Sequence, residues 1–261
     1  MCLLAIAFDQ HRNAPLIVAS NRDEFYARPT LPMHWWDDAP ILAGRDQQAN
    51  GTWMGLSRNG RFAAVTNYRS VPEGGTIETA ELSRGDLVTA FLSSPLSASQ
   101  WAQSIAATAK DFGGFNLLIY DGAELVYLNN HDDEQPKILP PGFYALSNGA
   151  LDSPWPKVEH AREQLRTVID QPQMGTAQLG QIMATLSLEK TYAAELLPNT
   201  GVPEEWEKLL SSPFIVAQGY GTRASAAVII SASGEITVTE QSYQAGETLG
   251  SQTFRFNASE R

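Results

Sequence analysis

Sulfur chemistry is nearly absent from this chain, whose 261 residues include one cysteine, Cys2. A single thiol excludes an intramolecular disulfide and a cysteine-rich zinc site. Histidine is scarce too, and His11, His34, His131 and His160 form no short-spaced metal pair, so no metal site is expected. Positive charge is in deficit: 18 Lys and Arg against 29 Asp and Glu leave a net charge of −11. Neither nucleic acid nor an anionic membrane would meet a basic patch on such a protein. Long apolar runs are missing as well. The run Cys2-Leu3-Leu4-Ala5-Ile6-Ala7-Phe8 is too short to span a bilayer and lacks a basic flank and a cleavage site. Stable membrane insertion is therefore not expected, and a cytoplasmic location is. With no repeat, low-complexity tract or linker, one domain over residues 1–261 is the expectation.

What is present is an ordinary globular composition, 43% hydrophobic and 18% charged, enough for a sizeable core. Strand-like runs over 3–8 and 16–19 flank the turn His11-Arg12-Asn13-Ala14-Pro15. The stretch 28–40 holds Pro29, Pro32, Trp35, Trp36 and Pro40 without a period, and is expected to be an ordered loop that lines a pocket. Apolar runs over 51–57 and 61–67 surround Asn59-Gly60, the strongest hairpin signal in the chain. Helical patterns follow at 81–92, with Leu82, Leu87 and Phe91 on one side, and at 98–108. Strands are predicted at 115–120, 124–129 and 143–146, then helices at 157–169, behind Pro154-Trp155-Pro156, and at 176–186. After a polar connection at 198–203 come strands at 225–231, 235–243 and 253–256. Strands arranged in hairpins predict antiparallel sheets, with the helices on their outer faces.

Cys2 directly follows Met1, which an aminopeptidase can remove before a small side chain, leaving a thiol and a free α-amine on one residue. The thiol titrates near ~8.5 and the amine near ~7.7–8.0, so the amine can take the thiol's proton. That is the chemistry of an N-terminal-nucleophile (Ntn) hydrolase. A small buried hydrophobe at the start of a strand is the other reading.

Asn21-Arg22-Asp23-Glu24 follows the second strand run. It reads either as a solvated turn or as a functional group of residues. A hairpin would return it beside Cys2, where Arg22 would favour thiolate and Asp23 could orient the amine. Asn67 and Asn148 each end a strand run, as turn residues or as oxyanion donors.

The blocks MCLLAIAF, SNRDEFYARPT, GRDQQANGTWMGLSRNGRFAAVTNYR, LSNGALDSPWPK and YGTRASAAVII together resemble the NRDE family, whose eukaryotic members are called transport and Golgi organisation protein 2. The same landmarks are similar, more distantly, to cysteine Ntn hydrolases of the choloylglycine hydrolase and penicillin V acylase class. That likeness implies an α+β fold, a four-layer αββα sandwich of two antiparallel sheets. It implies a catalytic set of Cys2 as nucleophile, Arg22 and Asp23 beside it, and Asn67 and Asn148 serving the oxyanion or the amine. The substrate would be a small or acylated molecule cleaved at an amide C–N bond, with no cofactor required.

The NRDE resemblance also implies a competing role, because members are connected with haem trafficking and with lipid or acyl-CoA metabolism. A carrier would use the same cleft without turnover, with haem or an acyl-CoA-like molecule as its ligand. Arg22 and Asp23 are adjacent here, whereas the hydrolase class spaces its pair three residues apart. His34-Trp35-Trp36 either faces a planar apolar ligand or anchors a loop to the core. Asn21, Glu24, Arg28 and Arg223 complete the expected ligand-binding set, and Arg45 is a further cation for an anionic ligand.

Overall fold

The computed structural model describes residues 2–71, 82–131 and 135–259. These divide into two compact units, each described by itself.

The first unit, residues 2–27, 69–71 and 141–256, carries a six-stranded sheet. Its strands are β1 (Cys2–His11), β2 (Ala14–Phe25), β10 (Gly142–Leu146), β11 (Tyr220–Ile230), β12 (Glu235–Gln244) and β13 (Glu247–Asn257), in the order β10-β1-β2-β11-β12-β13. Three helices belong to it: α3 (Pro156–Ile169), α4 (Leu179–Ala184) and α5 (Glu204–Leu209). Leu3, Ala5 and Ala7 of β1 pack into one apolar cluster with Val158, Ala161, Leu165 and Ile169 of α3. The spacing of two on the strand and of three to four on the helix is what lets each element bury one face. Cys2, Leu4 and Ile6 consequently belong to the other face of β1.

The second unit, residues 28–68, 82–131, 135–140 and 257–259, carries a seven-stranded sheet in sequential order. Its strands are β3 (Thr30–Trp35), β4 (Ile41–Asp46), β5 (Met54–Ser57), β6 (Phe62–Asn67), β7 (Phe115–Tyr120), β8 (Leu125–Asn129) and β9 (Lys137–Ile138). Helices α1 (Arg84–Leu92) and α2 (Ala98–Ala106) cover one face. Leu87, Phe91 and Trp101 pack there with Ala63 and Val65 of β6 and Leu117 and Ile119 of β7. The strand registers of both sheets are antiparallel, so the α+β expectation holds.

Several expectations need correction. The stretch 28–40 is not a loop throughout, because Thr30–Trp35 forms β3 and pairs with β4. A register shift between Leu31 and His34 breaks its alternation, and the edge position in the sheet tolerates Pro32. Asn21-Arg22-Asp23-Glu24 does not follow the second strand but lies inside β2. Leu82 is exposed and outside α1, which starts at Arg84, while Glu81 lies outside the described residues. The helix expected at 176–186 is a 3-10 turn, Thr176–Gln178, followed by the six residues of α4. The last strand, β13, is far longer than the expected 253–256.

Candidate functional site

The β1–β2 ladder sets Cys2 directly opposite Arg22, so both side chains share a face of the first sheet. Alternation along β2 turns Asn21 and Asp23 to the opposite face, the side of Ile17 and Ala19, where α3 and α4 pack. Cys2 is 7% exposed, and Arg22 and Asp23 are buried. The hairpin therefore sets Arg22 across from Cys2, while Asp23, one residue on, takes the other face of β2.

Asp23 pairs in register with Thr222 of β11, whose Oγ1 donates to Asp23 Oδ1 at 2.7 Å. The backbone N–H of Ile215 donates in turn to that hydroxyl at 2.9 Å, which fixes its orientation. Burial above all pushes the Asp23 carboxyl above its ordinary range, with Lys157, the Thr222 bond and Arg22 pulling the other way. Burial is also the main cause that raises the Cys2 thiol. Asp23 and Glu24 add to that rise and Arg22 offsets it. Glu24 lies 3.8 Å from Arg22 across a partly exposed edge.

Asn148 follows β10 and is fully buried. The Ser147 hydroxyl donates to the Cys2 carbonyl at 2.9 Å and lies 3.1 Å from Asn148 Oδ1. The Arg69 backbone N–H donates to the Asn148 carbonyl at 2.7 Å. Asn148 thus sits one side chain away from Cys2, joined through Ser147. Asn21 instead ties the fold together: its Nδ2 donates to the carbonyls of Leu186 and Pro213, both at 2.9 Å, and its Oδ1 accepts from Ser225 Oγ at 2.7 Å. Arg223 donates to the carbonyls of Phe25 and Tyr26 at 3.1 and 3.0 Å.

The remaining expected residues belong to the second unit. Asn67 ends β6, half-buried, in register with Phe115. Arg28 Nε donates to Asp46 at 2.6 Å. Trp36 is a core residue whose indole N–H donates to the Ala43 carbonyl at 3.1 Å, with the Arg45 guanidinium 4.2 Å above its ring. Arg58 lies 4.0 Å over Trp35. His34 Nδ1 lies 2.8 Å from the Pro32 carbonyl oxygen. Among the described residues no group of three or more His, Cys, Asp or Glu could hold a metal, and no helix is long and apolar enough to cross a membrane.

Sequence reasoning passed over four groups of this region. Lys157, in the first turn of α3, is buried, and burial lowers its ammonium to about 8. Asp23 is the first of the groups that hold its charge up, ahead of Cys2 and Glu207, while Arg69 opposes them. Tyr220 is buried, and burial raises its phenol, with Asp23 and Glu24 next. Arg69 and Glu207 form a buried ion pair at 2.7 Å. The one available signal was Lys157 itself, a cation just inside the start of a helix, where the macrodipole disfavours it.

The chain matches the model of the family described as Transport and Golgi organisation 2 over residues 1–245. It is 31% identical over 264 residues to the human Transport and Golgi organization protein 2 homolog, with 93% of each chain covered. It is 22% identical to the Drosophila melanogaster Transport and Golgi organization protein 2, with 92% of each covered. Among solved structures, a conjugated bile acid hydrolase from Clostridium perfringens aligns at a TM-score of 0.45 and 11% identity, over 98% of this chain and 92% of that one. The Caenorhabditis elegans ortholog of N-acylethanolamine-hydrolyzing acid amidase aligns at 0.42 and 10%, over 87% and 92%. A family model spanning nearly the whole chain and a relative above 30% identity agree: the chain belongs to the Transport and Golgi organisation 2 family.

Proposed function

We propose that the chain is an N-terminal-cysteine amidohydrolase acting on an amide C–N bond of a small or acylated molecule. The observation that carries this reading is the pairing of Cys2 with Arg22 across the β1–β2 ladder, with Asp23 next in sequence. Removal of Met1 would free the α-amine of Cys2. That amine takes the thiol proton, the sulfur attacks the amide carbon, and the proton passes to the substrate nitrogen, which leaves as a free amine as the C–N bond breaks. Water then hydrolyses the acyl thioester to the acid and the free thiol. Arg22 favours the thiolate against the burial that raises the thiol. Asn148, in the same unit as Cys2, is the proposed donor to the developing oxyanion.

A panel of N-acyl amides, assayed by release of free amine, tests the reading. Turnover is expected with at least one substrate, and Cys2→Ala should abolish it. Intact mass should show Met1 absent from the active protein. Turnover that survives Cys2→Ala, or active protein that retains Met1, would sink the mechanism.

One observation favours a second reading. A thiol that is 7% exposed and raised by burial is held protonated, which suits a binding cleft better than a nucleophile. A carrier of haem or of an acyl-CoA-like ligand would show saturable one-to-one binding in a Soret or calorimetric titration, surviving Cys2→Ala, with no product released. Failure of both ligands to saturate removes it.

A further inference from the structure

The outer edge of a sheet presents a bare row of N–H and C=O groups that any extended strand can join, and folded chains commonly blunt it. Three of the four sheet edges here are blunted. β10 is five residues long, and Asp152 closes over it: its N–H donates to the Ala145 carbonyl at 2.9 Å, and its Oδ1 accepts the Ala145 N–H at 2.8 Å. β3 carries Pro32 and a register shift. β9 is two residues long and begins with Lys137.

The fourth edge, β13, has none of these devices. It runs for 11 residues without proline or lysine, and β12 is its one strand neighbour among the described residues. No side chain along it is buried, and Leu249 is 63% exposed. Its two charges have opposite sign and stand near opposite ends, Glu247 and Arg255. Glu247 has no ionic partner among the described residues. Arg255 gives Nε and Nη2 to Glu235 at 2.8 and 2.6 Å, and a guanidinium has further N–H donors to offer.

We propose that β13 is a self-association edge, through which this chain joins its six-stranded sheet to that of a second copy. Charge selects this occupant and its direction. Two copies of β13 laid antiparallel about a twofold axis near Ser251 set each Glu247 beside the other copy's Arg255, once at each end. Parallel pairing would set like charge beside like. A single strand pair buries little area, so the dimer forms reversibly with concentration rather than permanently.

Analytical ultracentrifugation of the full chain over a range of concentrations tests this. A monomer–dimer equilibrium is expected, with slower amide exchange over 247–257 in the dimer. Glu247→Arg and Arg255→Glu each bring like charges together at both ends, and each is expected to weaken dimerisation about tenfold. Both positions are exposed, so the fold should tolerate the changes, which circular dichroism verifies. Mixing the two variants restores opposite charges at both ends and should recover the dimer. Three results would each overturn the proposal. A chain that stays monomeric throughout would leave the edge bare or to a different protein, and a dimer indifferent to both reversals would place the contact on another surface. A mixture that fails to recover the dimer would remove the charge pairing that selects the second copy.

Discussion

Arg69 and Glu207 are each buried and meet at 2.7 Å, and Glu207 Oε1 also accepts the Thr200 backbone N–H at 2.7 Å. Desolvation by burial lowers the Arg69 guanidinium, while the Glu207 carboxylate opposes that loss. Removing one partner leaves the other charged and dry, a situation that costs about 3 kcal/mol or more. Glu207→Ala should therefore lower the free energy of urea unfolding by about that amount, whereas replacing an exposed acid such as Glu195 should change it by less than about 0.5 kcal/mol. Equal effects from the two would show that the pair contributes nothing. Asn21 follows the same logic without charge. Its side chain satisfies the Leu186 and Pro213 carbonyls, so Asn21→Ala strands two acceptors and should cost about 2 kcal/mol in the same measurement.

Asp121 ties a turn to a helix. Its Oδ1 accepts from the N–H groups of Ala123 and Glu124, both at 2.9 Å, closing the turn between β7 and β8. Its Oδ2 accepts from Ala98 N–H at 2.8 Å, one of the orphan donors at the start of α2, where Ser97 and Gln100 supply a capping box. Asp121→Ala should destabilise by about 2 kcal/mol, against about 1 kcal/mol for Ser97→Ala, by thermal or urea unfolding. A smaller loss at Asp121 than at Ser97 would contradict it. Elements with their own periodic signal were the ones legible in the sequence. The Asn59-Gly60 turn, with Gly60 at φ 82°, and the 3.6-period of α3 are examples. β3 escaped because its bulge and Pro32 erase alternation, and α5 because six residues with three Glu carry no apolar stripe. The buried polar stretch in β2 looked like a turn because its partners, Thr222 and Ser225, lie about two hundred residues away. The register pairing of Arg22 with Cys2 was legible, since a hairpin forces it. Lys157 was not, because its one local signal, a cation in the first turn of α3, does not say that the lysine is dry.

Across the whole molecule, that dry lysine sets a pH dependence with a definite sign. Folding lowers Lys157 from 10.5 to about 8, so between those values the unfolded chain binds more protons than the native one. Stability supplied by this residue therefore rises with pH through that window, and below about 8 it imposes a penalty on the order of 3 kcal/mol. Cys2 acts oppositely. Its thiol is raised in the native state, so its contribution is present below the ordinary thiol value and is lost as pH climbs past it. Tyr220, also raised, adds to that decline at higher pH. The net curve of the natural chain consequently mixes rising and falling parts, and the difference between chains isolates the lysine. Lys157→Met keeps Cys2 and Tyr220 in place and removes only the amine. The unfolding free energy of the natural chain minus that of Lys157→Met should increase as pH rises from about 7 to about 10, by about 2 kcal/mol or more. A flat difference over that range would mean that Lys157 carries an ordinary, hydrated ammonium in the folded protein.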